Sequence, residues 1–313
     1  MTRSASDTIT DLDGIVVVDK PAGPTSHDIV ALIRRLSGVR RVGHGGTLDP
    51  FATGVLPVFI GRATRLVEYH MADEKAYRTL VAFGARSTTD DLDGELTPGE
   101  GPVPDRARVE AALDEFRGPI RQVPPDHSAV RVAGRHAYAV ARAGEKPVLA
   151  ARDVEILDLT LTGWQADDPE RPTATLELRC TAGTYVRALA RDLGERLGCG
   201  AYLVALTRTK SGPFQLAAAH EPDAIRRAFA EGEPEGMMMP SDTGLEAFPP
   251  LTLAADDLGG LLKGQVVRPR LADLEPGAAR RFRVRDAGGR LAAIARLEGG
   301  RLHPEKVFLA PGE

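Results

Sequence analysis

Three segments of the sequence alternate apolar and polar residues, and this period of two constrains the fold more than any other feature. The segments are residues 76–85, 154–164 and 173–183. Such alternation predicts half-buried strands, because successive side chains of a strand face opposite sides of a sheet. A short apolar run over 14–21 predicts a further, buried strand that stops at Lys20-Pro21.

Other segments show the helical period of apolar residues and end in glycine, as helices commonly do. These are residues 25–38, with Thr25 or Ser26 as the predicted cap, 106–118 and 184–198. Strands and helices do not alternate strictly along the chain, which disfavours a doubly wound parallel sheet. We therefore expect an α+β fold with a mixed, largely antiparallel sheet and flanking helices.

The chain has 313 residues and is longer than one typical domain. Residues 231–250 contain five acids, four prolines and no base, which is typical of a linker or loose surface segment. Short strand-like pieces with Gly-Gly turns follow and predict a small β-rich domain. We expect a catalytic domain over 1–230, a linker over 231–250 and the small domain over 251–313.

Charge and composition narrow the possible partners and location. The net charge is −4, yet residues 263–313 hold eleven Lys and Arg against six acids, a local charge of +5 that favours RNA. Cys180 and Cys199 follow a chain start without an apolar signal segment, so we expect a reduced, cytoplasmic protein. Apolar runs stay well below the roughly 18 residues that span a bilayer, and the seven histidines do not form a metal-ligand pattern.

The stretch "RVGHGGTLDPFATGVLP" places Asp49 between a glycine-rich loop and Pro50. Pro50 favours extended geometry at Asp49, and the glycines let a ligand approach the backbone closely. Such a loop holds its carboxylate at a fixed angle, although an aspartate here could equally cap its own turn. Arg187 offers a possible guanidinium partner, while Tyr77 and Tyr185 offer aromatic faces that either stack on a base or belong to the core.

Residues 89–100, "TDDLDGELTPGE", partly match a calcium-binding loop through Asp91, Asp93, Gly94 and Glu100. Flanking helical patterns are missing and Pro98 interrupts the loop. The segment is therefore interpreted as an acidic turn between strands.

Four blocks resemble, in order, the TruB-type bacterial tRNA pseudouridine synthases: "GIVVVDKPAGPTSHDIV", "GHGGTLDPFATGVLPVFIGRATRL", "KAYRTLVAFGARSTTDDLDG" and "GTYVRALARDLGERLGCGAYLVALTRTKSGPF". The similarity runs over about residues 14–215, and residues 123–145 resemble the family less literally. It implies a sheet of the pseudouridine synthase type. The small C-terminal domain corresponds in place to the family's PUA-type RNA-binding domain.

The resemblance also implies roles for individual residues. Asp49 matches the catalytic aspartate, Tyr77 the tyrosine that stacks on the target base, and Arg187 the arginine that pairs with the aspartate and keeps it charged. Tyr185 lies beside Arg187 in the implied pocket. Further pocket or RNA-contacting positions are matched by Lys20, His44 and Leu206, with His44 as a wedge into the vacated RNA position.

The implied reaction isomerises uridine 55 in the T loop of tRNA to pseudouridine, with the base flipped out of its stack. Since substrate and product are isomers, we expect no metal and no cofactor. The expected partner is the tRNA T arm, and we expect a monomer without an obligate protein partner. The sequence leaves open whether Asp49 attacks C1' or removes the 2' proton.

Two other classes of function stay open at this point. The protein could be an RNA-binding or RNA-folding module, which would keep its effect after Asp49 is neutralised. It could also act on a free nucleoside. The arginine-rich tail and the lack of an obvious second acid count against the latter, because glycoside hydrolysis usually uses a carboxylate pair.

Overall fold

The computed structural model describes residues 12–128, 130–132, 134–268 and 280–310. The ends of the predicted 1–230 and 251–313 domains and the stretch 269–279 therefore lie outside the described residues. The helices are α1 (Ser26–Ser37), α2 (Val67–His70), α3 (Arg106–Leu113), α4 (Ala137–Arg142), α5 (Val186–Leu197), α6 (Pro222–Glu231) and α7 (Ala255–Leu262). The strands are β1 (Gly14–Lys20), β2 (Val42–His44), β3 (Thr53–Ile60), β4 (Lys75–Phe83), β5 (Ala85–Ser87), β6 (Leu96–Pro98), β7 (Gly118–Gln122), β8 (Arg131–Val132), β9 (Arg135–His136), β10 (Arg152–Gln165), β11 (Thr173–Cys180), β12 (Ala201–Ser211), β13 (Phe214–Gln215), β14 (Met238–Met239), β15 (Pro250–Thr252), β16 (Arg281–Arg285), β17 (Leu291–Glu298) and β18 (Arg301–Val307).

A ten-stranded sheet forms the centre of the larger domain, in the order β14-β1-β3-β12-β4-β11-β10-β7, with β2 beside β3 and β13 beside β12. The pairs in the described residues of this sheet are antiparallel except β12 with β3, which run parallel. The three strands predicted from alternation are β4, β10 and β11, and the strand predicted from the apolar run over 14–21 is β1. The predicted mixed, largely antiparallel α+β fold is confirmed.

Helix α1 shows how local sequence starts and stops an element. The Thr25 hydroxyl accepts a hydrogen bond from the Asp28 backbone N–H at 3.1 Å, and the Asp28 carboxylate accepts one from the Thr25 N–H at 2.8 Å. This capping box satisfies N–H groups that a helix start leaves free. The helix ends at Gly38 in the left-handed conformation, with φ of 69°. Its buried face, which includes Ile29 and Ile33, joins the main core.

Helix α5 packs against β12, and α3 packs against both α5 and β10. The first turn of α5 follows Tyr185, whose backbone N–H donates to Oε1 of Gln122 at 2.8 Å. Val186, Leu189 and Leu193 are buried on the face that meets the sheet. This packing directs the start of α5, which carries Arg187, toward the same side of the sheet as the loop after β2.

A second sheet, in the order β15-β16-β17-β18, forms a small C-terminal domain. It has a core of its own, with α7 covering the sheet through Leu261, beside Phe282, Val284 and Leu302. The β-rich C-terminal domain predicted from the sequence is confirmed. Its extent over 251–313 remains a prediction.

The stretch predicted as a linker packs closely in the structure. Strand β14 pairs with β1. The carboxylate of Asp242, with 8% of its side chain exposed, accepts hydrogen bonds from Arg283 at 3.0 Å and from Arg285. Leu245 joins a cluster with residues of both domains, among them Leu66 and Phe308. The average composition of 231–250 does not reveal these contacts. The contacts are made by apolar residues and one buried acid, whereas the composition is dominated by the exposed acids.

Within the part of the chain that the structure describes, the helices are all too short or too polar to cross a membrane.

We expect Gly54→Ala to destabilise the protein much more than Gly118→Ala. Both glycines have a positive φ, +97° and +80°, which costs any L residue about 1–2 kcal/mol. A Cβ at Gly54 would also lie 2.3 Å from the carbonyl oxygen of Arg208, whereas a Cβ at Gly118 meets nothing within 4 Å. Urea unfolding of both variants and the parent measures the difference, and equal losses would show that β3 does not depend on close approach to β12.

Candidate active site

The loop between β2 and β3 carries Asp49 and is anchored on both sides of that residue. The Ser26 hydroxyl accepts from the Leu48 N–H at 2.8 Å and donates to the Leu48 carbonyl at 3.1 Å. The ammonium of Lys20 donates to the Pro50 carbonyl at 3.0 Å. Asp49 is therefore held between two fixed neighbours, which is the stiffness that Gly and Pro around it predicted.

Arg208 on β12 is a second anchor, and 2% of it is exposed. Its guanidinium donates to the carbonyls of Val55 at 2.7 Å, Gly46 at 3.0 Å and Thr47 at 3.3 Å. Arg208 and Tyr77 line the same cavity, and the charge of Arg208 acts on the phenol of Tyr77. One buried cation thus holds the Asp49 loop and lies beside Tyr77. Arg208 was not among the predicted site residues, although a charged residue within the apolar strand "AYLVALTRTK" was an available signal.

Arg187, in the first turn of α5, forms a two-point ion pair with Asp49. Its Nε lies 2.9 Å from Oδ2 of Asp49 and its Nη2 lies 3.1 Å from Oδ1. Parallel hydrogen bonds of this kind are strong and fix the orientation of both groups. The side chain of Arg187 is 5% exposed and that of Asp49 is 34% exposed. Arg187 therefore belongs to the protein interior, while the carboxylate of Asp49 remains accessible from the cavities.

Asp91 is a second carboxylate at this place, although sequence analysis saw only an acidic turn and no obvious second acid. Its Oδ2 lies 3.4 Å from Nη1 of Arg187, and its Oδ1 accepts from the Thr89 hydroxyl and from the Asp93 N–H at 3.1 Å. Burial raises the pKa of Asp91, while the Thr89 hydrogen bond and the Arg187 charge lower it. This second acid was not obvious from the sequence because it reaches Arg187 only when residues 88–94 fold back onto α5. With its oxygens occupied, Asp91 holds Arg187 from the side opposite Asp49.

Two cavities meet at the Asp49–Arg187 pair. The first, here called the Tyr77 cavity, has a volume of about 280 Å³ and is lined by five of the predicted site residues: Asp49, Tyr77, Tyr185, Arg187 and Leu206. The second, the His44 cavity, has a volume of about 590 Å³ and is lined by His44 together with Asp49 and Arg187.

Lys20 is the one predicted site residue that lines neither of these two cavities. It lines a third, of about 750 Å³, beside α1 and the start of α6. Its ammonium reaches the Asp49 loop only through the Pro50 carbonyl. Lys75 and Ser128 line the Tyr77 cavity and were not predicted.

The pKa values of the two rings in these cavities, Tyr77 and His44, are shifted toward their neutral forms. Burial raises the pKa of the Tyr77 phenol, and the nearby Arg208 guanidinium partly opposes this. Burial lowers the pKa of His44, and the charges of Arg208 and His27 lower it further. Nδ1 of His44 accepts from the Gly46 N–H at 3.3 Å, as a neutral imidazole does. The site therefore offers uncharged rings on both sides of one carboxylate.

Groups of three or more His, Cys, Asp or Glu side chains that could hold a metal do not occur within the described ranges. Where the two cavities meet, the described residues offer the accessible carboxylate of Asp49 and its arginine partner, with the phenol of Tyr77 in the adjoining cavity.

Comparison with known sequences agrees with this geometry. The sequence profile of the TruB family pseudouridylate synthase N-terminal domain matches residues 34–186. The profile of the tRNA pseudouridylate synthase B C-terminal domain matches residues 187–246. The chain belongs to the TruB family of pseudouridine synthases, which are isomerases.

Particular relatives are similar over nearly their whole length. The tRNA pseudouridine synthase B of Thermobifida fusca (strain YX) is 42% identical over 301 residues, covering 95% of this chain and 98% of its own. The tRNA pseudouridine synthase B of Parasynechococcus marenigrum (strain WH8102) is 44% identical over 302 residues, covering 96% and 98%.

Solved structures show the same fold at lower identity. A chain of a Cbf5-Nop10-Gar1 complex superposes with a TM-score of 0.70 at 24% identity, covering 99% of this chain and 88% of that one. A chain of the archaeal box H/ACA sRNP Nop10-Cbf5 complex gives 0.69 at 24% identity, covering 99% and 90%.

We expect Lys20 to make the stability of the protein rise at alkaline pH. Burial lowers the pKa of Lys20 to about 8 from 10.5, with Asp49 opposing the shift and Arg208 adding to it. Between these values the unfolded chain binds a proton that the folded chain does not, so the free energy of unfolding increases with pH.

The measurement is urea unfolding of the parent and of Lys20→Met across this alkaline range. The parent should gain stability relative to the variant as pH rises. Lys146→Met, which replaces an exposed lysine, is the control and should follow the parent. Parallel curves for the parent and Lys20→Met would contradict the lowered pKa.

Proposed function

We propose that this chain isomerises uridine 55 in the T loop of tRNA to pseudouridine, with Asp49 as its catalytic carboxylate. The observation that carries the proposal is the Asp49–Arg187 pair at the junction of the Tyr77 and His44 cavities. Family membership and the tRNA pseudouridine synthase B names of relatives covered along 95% or more of this chain support the choice of tRNA.

The Tyr77 cavity suits a single flipped base. Its volume of about 280 Å³ lies just below the roughly 300–1,000 Å³ of pockets for drug-sized ligands. Tyr77 supplies a neutral aromatic face for stacking, and Tyr185 and Leu206 supply the remaining apolar wall. The base must leave its stack to enter. We propose that neutral His44, in the adjoining cavity, occupies the position that the base vacates.

The reaction breaks the C1'–N1 bond, turns the uracil and forms a C1'–C5 bond. The proton on C5 is then lost and N1 regains one, so atoms and electrons balance within the substrate. Each oxygen of Asp49 accepts one hydrogen bond from Arg187 and keeps a further lone pair. That lone pair serves attack at C1' and removal of the 2' proton equally well, and both routes stay open.

The remaining predicted residues have supporting roles in this proposal. Arg187 orients the carboxylate and compensates its charge. Tyr77, beside Arg208, assists proton transfer from C5 after the new bond forms. Lys20 holds the Asp49 loop through Pro50. Because the isomerisation is redox-neutral, we propose that it uses no metal and no cofactor.

The count of basic residues in 263–313 overstates how many of them are available to RNA, because several are paired with acids. Arg281, Arg283, Arg285, Arg290, Arg296 and Lys306 all form ion pairs with acids, while Arg270, Asp273, Glu275 and Glu313 lie outside the described residues. Exposed basic side chains without an ion pair in the described ranges include Lys263 and Arg301. We propose that these contact tRNA phosphates, as the PUA-type assignment from the resemblance implies.

We further propose that the protein is a cytoplasmic monomer with domains at 1–230 and 251–313. Cys180 and Cys199 are free, buried thiols, which suits a reducing compartment.

Asp49→Asn is expected to abolish product while leaving tRNA affinity within about tenfold of the parent, or about 1.4 kcal/mol. The substitution keeps the size of the side chain but removes its charge. Tritium release from C5-labelled uridine in tRNA measures single turnover, in chelator and without nucleotide, beside filter binding and a thermal melt.

The control is Asp28→Asn, which removes the charge of the exposed third residue in the capping box of α1. It should lower the melting temperature slightly, with turnover kept. Tritium release by a well-folded Asp49→Asn protein would remove Asp49 from the mechanism. Full biological effect of that variant without turnover would favour an RNA-folding module.

The double variant Lys263→Gln, Arg301→Gln is expected to flatten the salt dependence of tRNA binding. Each lost phosphate contact lowers the slope of log K against log salt by about 1. Arg296→Gln is the control, because Arg296 pairs with Glu298 at 2.7 Å and its charge is compensated in the protein. Equal slopes for the parent and the double variant would show that these two cations do not meet RNA.

A further inference from the structure

Ser128 has a buried hydroxyl at the junction of the two cavities. The residue is 3% exposed and lines both the Tyr77 cavity and the His44 cavity. Its Oγ has no hydrogen-bond partner among the described residues. The backbone around it is fixed, because the Ser128 carbonyl accepts from the Tyr138 N–H at 3.0 Å and the His127 carbonyl accepts from Nη2 of Arg187 at 3.0 Å.

A buried polar group without a partner destabilises the free protein. Alanine at position 128 would remove that cost without loss of apolar packing. Unsatisfied buried groups are rare in native proteins and call for a specific cause, of which a ligand is one. The location of Ser128 beside Asp49 and Arg187 indicates a ligand at the reacting centre.

The shape of the site indicates which part of the ligand lies next to Ser128. If the base occupies the Tyr77 cavity and the strand continues through the His44 cavity, the sugar of the target nucleotide lies where the cavities meet. Side chains common to both cavities are Thr47, Leu48, Asp49, Ser128 and Arg187. Within an RNA strand the 3' and 5' oxygens of a ribose belong to phosphodiesters. The free hydroxyl of that sugar is therefore the one at 2'.

We propose that the Ser128 hydroxyl hydrogen-bonds the ribose 2'-hydroxyl of the target nucleotide and so places the sugar against Asp49. This assignment rests on the proposed function. It makes Ser128 a substrate-binding residue and gives the site a way to distinguish RNA from DNA at the target position. It holds for either role of Asp49, because both C1' and C2' adjoin this hydroxyl.

The test is a binding cycle on a T-arm hairpin that carries uridine or 2'-deoxyuridine at the target position. Affinities are measured in an Asp49→Asn background, which keeps the uridine hairpin unreacted. With Ser128 present, the 2'-deoxy hairpin should bind about three- to tenfold more weakly, as for one lost hydrogen bond. With Ser128→Ala the two hairpins should bind almost equally, and Ser128→Cys, which donates weakly, should fall near alanine.

If the ratio of the affinities for the uridine and 2'-deoxyuridine hairpins is the same with serine and with alanine at position 128, the proposal is overturned. Failure of the proposed function is a separate result, since the parent protein would then form no pseudouridine in the ribose hairpin. The two failures are therefore distinguishable in the same set of samples.

Stability supplies a second readout with a matched control. Ser37 is 4% exposed, and its hydroxyl accepts from the Val39 N–H at 3.2 Å. Ser37→Ala should therefore lower the melting temperature. It should leave the ratio of the affinities for the uridine and 2'-deoxyuridine hairpins unchanged. Ser128→Ala should melt at or above the parent. A fall equal to that of Ser37→Ala would show that the Ser128 hydroxyl is already bonded within the protein, and would overturn the proposal.

Discussion

The ion pair between Asp49 and Arg187 is the interaction on which the site depends. It joins a loop near the start of the chain to a helix 138 positions later and forms the wall shared by two cavities. A buried arginine is costly unless its charge and donors are satisfied. The described contacts of Arg187 supply acceptors from Asp49, Asp91, Thr89 and His127. The pair is therefore stable in the protein interior while one carboxylate face stays open.

Two further cations explain why the loop geometry is so restricted. Arg208 and Lys20 project from the central strands β12 and β1, and their donors meet backbone carbonyls of the loop. Carbonyl dipoles offset the cost of burying these charges only partly, which is why burial lowers the pKa of both groups. The sheet thus holds the Asp49 loop through buried side chains, and Tyr77 lines the same cavity as Arg208.

The C-terminal domain is fixed to the catalytic domain by contacts that spread over the 61–70 segment. Lys306 pairs with Glu68 at 2.9 Å, Tyr69 donates to Glu305 at 3.3 Å, and Leu66 shares a core with Phe308. Other basic side chains of the tail pair with acids of the tail itself or with Asp242. RNA attraction in the proposed complex must then come from a few exposed cations rather than from the whole count of arginines.

Local sequence patterns determined much of the secondary structure of this protein. Period-two and helical spacing predicted β4, β10, β11 and the helices α1, α3 and α5, because half-buried elements must repeat with the geometry of the backbone. A short apolar run predicted the buried strand β1. Glycine and proline around Asp49 predicted a stiff loop. Resemblance, rather than spacing, indicated Arg187, Tyr77 and the other residues of the site. Tertiary structure alone decided the contacts of Asp91 and Arg208, the position of Ser128 between the two cavities, and the packing of residues 231–250. Each of these depends on which distant groups lie within a few ångströms, and that information belongs to strand order and helix packing rather than to any short stretch of chain.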